Sequence, residues 1–197
     1  MLDLLHRYLS DHLLLTQSEI DRVSASVQCR HLDKGAMLLS FCESATFVAF
    51  VLRGCLRAYF ADDDGSEHVL HFAPEGWCLT DTESFLTRKP SSLAIDAIEA
   101  SDVFLFERTA LHELRRDIPS VSAFYNATVE RALRLLQQRV TGSLRKTAEQ
   151  RYRAFIELYP GLDARIPQYQ IASYIGVSPE FLSKLRGRIV RDKSRTS

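Results

Sequence analysis

The chain is predicted to be an α+β protein: an antiparallel β-roll, then a long helix, then a C-terminal helix-turn-helix. Three observations carry this prediction. Between residues 27 and 107, short apolar or alternating runs are separated by Lys34-Gly35, Arg53-Gly54, Asp64-Gly65 and Glu75-Gly76. Turn glycines at such short intervals suit antiparallel strands better than βαβ units. After residue 108 the apolar spacing becomes helical, and the stretch from Gln168 to Arg186 carries the punctuation of two short helices.

The elements follow in order. Residues 2–26 are expected to be helical, with Leu4, Leu5, Leu9, Leu13, Leu14 and Ile20 as an apolar stripe. Thr16 and Glu19 form a capping-box pattern that starts a second helix there. Strand-like runs then fall at 36–40, 47–52, 55–60, 68–72, 94–98 and 103–107. Residues 109–116 form a short helix stopped before Pro119, and Ser120 begins a long one without Pro or Gly until Gly142. Within it Val121, Phe124, Thr128, Ala132, Leu135 and Leu136 approximate a heptad seam suited to pairing with a second copy. Gly142 reads equally well as a hinge at the end of that seam or as a helix-packing glycine. A further helix spans about 144–158, ended by Pro160-Gly161.

In the last segment Ile171, Ala172 and Ile175 mark the inner face of a short helix that Gly176 ends. Ser178 suits an N-cap and Pro179 the first helical position, so a second helix starts here with Leu182 and Leu185 inward. Glu180, Ser183, Lys184 and Arg186 then point outward, the residue types that meet base edges and phosphates.

Charge divides along the chain. The formal net charge is zero, yet residues 1–138 hold 13 Lys/Arg against 20 Asp/Glu, or −7, and residues 139–197 hold 12 against 5, or +7. A basic C-terminal segment is the electrostatic footprint of phosphate binding. The tail cations Arg186, Arg188, Arg191, Lys193 and Arg195 explain part of it; Arg139, Arg145, Lys146, Arg151 and Arg153 are additional. No apolar run approaches the length of about 20 residues that spans a bilayer, and no export signal is evident, so a cytoplasmic protein without a membrane role is expected. The cysteines at 29, 42, 55 and 78 lack a CxxC clip and are expected to be reduced, the first three as buried small residues.

An enzyme reading is weaker. His68, His71 and Glu75 suggest a cupin-like metalloenzyme, but a separation of three puts the two histidines on opposite strand faces. The one later histidine, His112, lies in a helical stretch, and neither GxSxG nor GxxxxGK occurs. No catalytic residue, metal or cofactor is expected. A ligand-binding β-roll without a DNA role stays open as the alternative.

Together these features resemble the Crp/Fnr family of transcription regulators, over nearly the whole chain. The resemblance is carried by Lys34-Gly35-Ala36, by Phe50-Val51-Leu52-Arg53-Gly54-Cys55-Leu56-Arg57, by Asp64-Gly65 and by Phe72-Ala73-Pro74-Glu75-Gly76, which look like a cyclic-nucleotide-binding jelly roll. Ala148-Glu149-Gln150-Arg151-Tyr152 and the stretch from Pro167 to Arg186 are similar to a branch whose DNA domain is compact, with a reduced wing. The resemblance implies a β-roll sensor at 1–118, a dimerisation helix at 119–143 and a DNA-binding domain at 144–197. It also implies a homodimer on double-stranded DNA, with RNA polymerase as a further candidate partner. The residues expected at the DNA are Ser178, Pro179, Glu180, Ser183, Lys184 and Arg186, with Gln168 and Gln170 near the backbone; Pro179 and Phe181 depart from the family pattern.

The same resemblance implies an effector pocket around Gly76, Thr80, Asp81, Ser91, Ser92, Leu136 and Gln137. Members that bind cyclic AMP hold its ribose with a Gly-Glu pair and its phosphate with an Arg-Ser pair. Those positions here read Thr80-Asp81 and Ser91-Ser92, and the adenine-reading positions read Leu136 and Gln137. Without the arginine, charge-assisted bonds worth roughly 1.5–3 kcal/mol each are missing, so high-affinity cyclic AMP binding is not expected. No cysteine precedes Cys29, which disfavours the cysteine-cluster oxygen sensors. His68, His71 and Cys78 are the candidates for haem ligation, the less favoured cofactor reading.

Overall fold

The computed structural model describes residues 5–9 and 13–196, with side chains as far as Ile189. Leu4, and the side chains of Arg191, Lys193 and Arg195, lie outside the described residues. The chain divides into two compact units: one runs to Phe60 and resumes over His71–Arg134, the other joins Ala61–Leu70 to the chain from Leu135 onward.

In the first unit, a helical turn α1 (residues 5–9) and α2 (Gln17–Ala25) precede the strands. Thr16 caps α2 in the expected reciprocal box with Glu19. The strands are β1 (Val27–Leu32), β2 (Met37–Leu39), β3 (Phe47–Arg53), β4 (Leu56–Ala61), β5 (Glu67–Ala73), β6 (Cys78–Leu79), β7 (Ala94–Ala97) and β8 (Ser101–Glu107). They form two four-stranded sheets, ordered β1-β8-β3-β6 and β2-β7-β4-β5. The predicted strand runs hold to within two residues. Two strands escaped the pattern: β1 is exposed over most of its length, and β6 has only two residues.

Strand alternation splits the apolar residues between two cores. Ala49, Val51 and Leu105 meet Leu56, Ala58, Ile95 and Ala97 of the other sheet. Phe50 and Phe104 face the opposite way and pack with Leu5, Leu9, Val23, Leu114, Ile118 and Val121. On the second sheet Arg57 and Asp96 are directly opposed and bonded by a buried two-pronged ion pair, both contacts at 2.8 Å. Gly54, at φ +89°, lies so close to Ser101 that a Cβ there would sit 2.3 Å from its Oγ.

Helix α3 (Thr82–Thr87) follows β6, and α4 (Arg108–Asp117) and α5 (Pro119–Arg145) follow β8. One expectation is corrected here. Val121 is buried in the roll's own core, so the start of the predicted seam is not available to a second copy. Helix α5 also continues through Gly142 to Arg145, because a lone glycine weakens a helix by only about 1 kcal/mol and does not by itself break it. The cysteines differ as well: Cys55 is buried, whereas Cys29 and Cys42 are exposed.

The second unit contains the end of α5, then α6 (Ala148–Leu158), a 3-10 turn at Leu162–Ala164, α7 (Gln168–Ile175) and α8 (Pro179–Thr196). Helix α6 starts four residues later than the sequence suggests, because Thr147 and Gln150 form a capping box. Its core joins Phe155, Tyr159 and Tyr174, with ring centroids 5.3 to 5.9 Å apart, to buried Leu162, Ile171, Leu182 and Leu185. Among the described residues no strand follows β8, and no helix is long and apolar enough to cross a membrane.

Candidate functional site

The helix-turn-helix forms as its local chemistry dictates. Gly176 adopts the left-handed conformation (φ 71°, ψ 50°), and its N–H donates to the carbonyls of Ala172 and Ser173, closing α7. Ser178 Oγ then accepts from the Phe181 N–H at 3.2 Å, which opens α8. Leu182 and Leu185 anchor the helix from beneath. Pro179, Glu180, Phe181, Ser183 and Lys184 are exposed on one short surface, and Gln168 is exposed at the start of α7. The Glu180 carboxyl is held below the usual range by a backbone N–H and the Ser178 hydroxyl, so it is an ionised acceptor at neutral pH.

Two expected members of this surface are placed differently. Gln170 is buried, with its Nε2 toward the Tyr169 hydroxyl at 3.4 Å, because its position on α7 faces the hydrophobic underside. Arg186 is half-buried and turns back to Asp163, 3.9 Å away, and to Tyr152.

The basic charge is also less available than a count suggests. Arg139 donates to the carbonyls of Val69, Leu70 and Tyr174 and stacks on the Tyr174 ring at 4.3 Å. Burial pulls its guanidinium pKa below the ordinary value. Arg151 donates to the Ile175 carbonyl at 2.8 Å and the Lys146 carbonyl at 2.9 Å, satisfying the ends of two helices. Arg153 pairs with Glu149 one turn away. Of Arg139, Arg145, Lys146, Arg151 and Arg153, only Arg145 and Lys146 remain exposed and outside these contacts.

In the first unit, two of the residues expected to form an effector pocket, Asp81 and Ser91, are bonded to one another. Asp81 is buried and caps α3, its Oδ1 accepting from the Ser84 N–H at 3.2 Å. Its Oδ2 accepts from the Ser91 hydroxyl at 2.6 Å. Ser84 Oγ accepts from the Ala45 N–H and donates to the Lys89 carbonyl, and Thr80 Oγ1 donates to the Phe47 carbonyl at 2.7 Å. Ser92, Leu136 and Gln137 are exposed. Of the expected pocket residues of the first unit, Thr80 lines an apolar cavity.

Residues 29–117 match the cyclic nucleotide-binding domain family. Solved structures match across both units. FixK2 from Bradyrhizobium japonicum is 20% identical, with 85% of this chain and 86% of that chain covered at a TM-score of 0.72. The c-di-GMP responsive global regulator CLP of Xanthomonas campestris is 16% identical, covering 90% and 93%, at 0.69. A putative Crp/Fnr transcriptional regulator from Eubacterium rectale is 18% identical, covering 93% and 87%, at 0.67. The chain has the Crp/Fnr fold. No curated protein matches the sequence.

Within the Crp/Fnr fold, two features were not legible beforehand. Helix α5 exposes Val129, Leu133, Leu136 and Val140, spaced four, three and four residues apart; this apolar seam lies beside the predicted one, and only Leu136 is common to both. The second is the apolar cavity, lined from α1, β3, β6 and α5, whose walls are scattered through the sequence. Among the described residues no three His, Cys, Asp or Glu side chains gather as a metal set. His68 pairs with Asp62 at 2.6 Å instead.

Proposed function

We propose that the chain is a sequence-specific DNA-binding transcription regulator, not an enzyme, that works as a homodimer and does not respond to cyclic AMP. The observation that carries this reading is the surface of α8: exposed Glu180, Ser183 and Lys184 above a fully buried Leu182 and Leu185. A helix so anchored presents its N-terminal half as a unit, as major-groove readers do. Glu180 is suited to accept from a cytosine amine, and Lys184 to reach guanine acceptors or a phosphate, each base contact being worth about 1–3 kcal/mol. Exposed Arg188 is suited to a phosphate.

Pairing through the Val129, Leu133, Leu136 and Val140 seam supplies the second reading helix, with half-sites about one DNA turn apart. Such a seam has heptad spacing and leaves four apolar side chains half in water when the chain is alone. The case against cyclic AMP rests on Asp81 and Ser91, which are committed to each other where a nucleotide would need ribose and phosphate partners. Differential affinity of some other effector for one of two states would then set the DNA-binding form.

Selection from random double-stranded DNA tests the reading. An enriched two-fold site is expected, with Glu180→Ala changing base preference at one position per half-site and Lys184→Ala weakening binding about tenfold. Failure to enrich any sequence overturns the DNA reading. Calorimetry giving a micromolar or tighter cyclic AMP affinity overturns the ligand part alone.

A further inference from the structure

We propose that the apolar cavity of the first unit is an effector site for a small, uncharged aromatic molecule of one or two rings. Its volume is about 200 Å³. An apolar cavity of roughly 150 Å³ is enough to admit benzene. Aromatic and aliphatic side chains form its walls, with Phe50 and Leu79 from the sheet, Phe85 from α3, and Phe124 and Tyr125 from α5.

The chemistry of the lining disfavours an ionic occupant. Among the described residues no Lys, Arg, Asp or Glu lines the cavity, and the imidazole of His71 is the one basic side chain there. The Cys78 thiol, which does line it, is pushed up to about 12 by burial and remains neutral. The hydroxyls of Thr80 and Thr128 donate to the carbonyls of Phe47 and Phe124 and keep lone pairs that can accept from one ligand N–H or O–H. An apolar wall with a few oriented polar atoms is the ordinary make-up of a small-molecule site.

The site meets the nucleotide-like loop at Thr80. Gly76, Asp81, Ser91 and Ser92 contribute nothing to its lining. Its position suggests how occupancy is transmitted. Helix α5 gives Phe124, Tyr125, Thr128, Val129 and Ala132 to the cavity, so Val129 belongs both to the lining and to the exposed seam, and at 100° per residue Leu133 lies about a quarter turn or more round the same helix. A molecule in the cavity therefore bears on the helix whose adjoining face is offered to the second copy.

The cavity is independent of whether the chain binds DNA; only its role as an effector site rests on the regulator reading, so binding is read on the free protein. The probe is 5-fluoroindole, followed by fluorine NMR during titration with the full chain. Saturable binding to one site is expected, with a dissociation constant below about 1 mM, not displaced by excess cyclic AMP. Thr128→Phe, which fills the cavity, should weaken binding at least tenfold. Ala132→Phe, on an exposed part of the helix that also lines the cavity, is expected to do the same and stands in if Thr128→Phe does not fold. Absence of saturable binding, displacement by cyclic AMP, or unchanged affinity in a folded filling variant overturns the proposal.

Discussion

Replacing Gly54 by alanine should be among the most damaging single-methyl additions in the molecule. The residue sits at φ +89°, where an L side chain costs roughly 1–2 kcal/mol. The added Cβ would also meet Ser101 Oγ at 2.3 Å, the Ala100 carbonyl oxygen at 2.6 Å and Ser101 Cα at 2.8 Å. Two of these neighbours are backbone, so relief requires shifting the start of β8 rather than one side chain. Ser101 is fully buried; its Oγ accepts from the Cys55 N–H at 3.1 Å and donates to the Glu99 carbonyl at 2.8 Å. Losing both bonds adds about 1 kcal/mol each, giving a total near 3–4 kcal/mol. Gly35→Ala is the matched control: Gly35 has φ +82° but nothing within 4 Å, so it should bear the conformational cost alone. Both lie in the first unit with Trp77, the chain's single tryptophan, whose fluorescence reports urea unfolding there. With a urea slope of about 2 kcal/mol/M, Gly54→Ala should lower the midpoint by roughly 1.5–2 M and Gly35→Ala by under about 1 M. Equal midpoints for the two variants would refute the packing argument.

Other outcomes follow from the same contacts. Leu136→Glu should weaken self-association at least a hundredfold by placing a charge in the proposed seam, whereas Thr128→Ser should leave it unchanged; sedimentation equilibrium separates them. Arg139→Met should destabilise the second unit by about 2–5 kcal/mol, since three carbonyls lose a cationic donor, and urea titration of tyrosine emission would register it. Asp117 accepts from Arg22 and Arg116, which hold its carboxyl well below the usual range. Its folded pKa being depressed, its stabilising effect is complete above about pH 4 and fades as pH falls toward the lower folded value. Asp117→Asn should therefore lower the thermal midpoint at pH 6, with the gap from the parent protein closing in strong acid. Ser178→Ala should cost about 1 kcal/mol through loss of the α8 cap, seen as a lower midpoint of the second unit.

Much of the architecture was legible because it is written in local chemistry. Thr16 with Glu19, Gly176 and Ser178 act within four residues of themselves, and each forms as its type predicts. β1 was not legible, since a strand exposed on most positions has no alternation to detect. The misplaced seam has a similar cause. Val121 and Phe124 satisfy helical periodicity, and periodicity cannot say whether a face meets the same chain or another. Gln170, Arg139 and Arg151 were counted toward the DNA surface by residue type alone, yet burial and carbonyl partners commit them to the fold.

By itself the sequence determined the succession of elements, the turns that separate them and the helix-turn-helix, all set by interactions between near neighbours in the chain. Only the tertiary structure decided which cations stay exposed, which face of α5 stays uncovered, that Asp81 and Ser91 satisfy each other, and that an apolar cavity opens in the first unit. Each of these depends on groups brought together from distant positions, and burial and pairing are properties of that assembly, which no local pattern encodes.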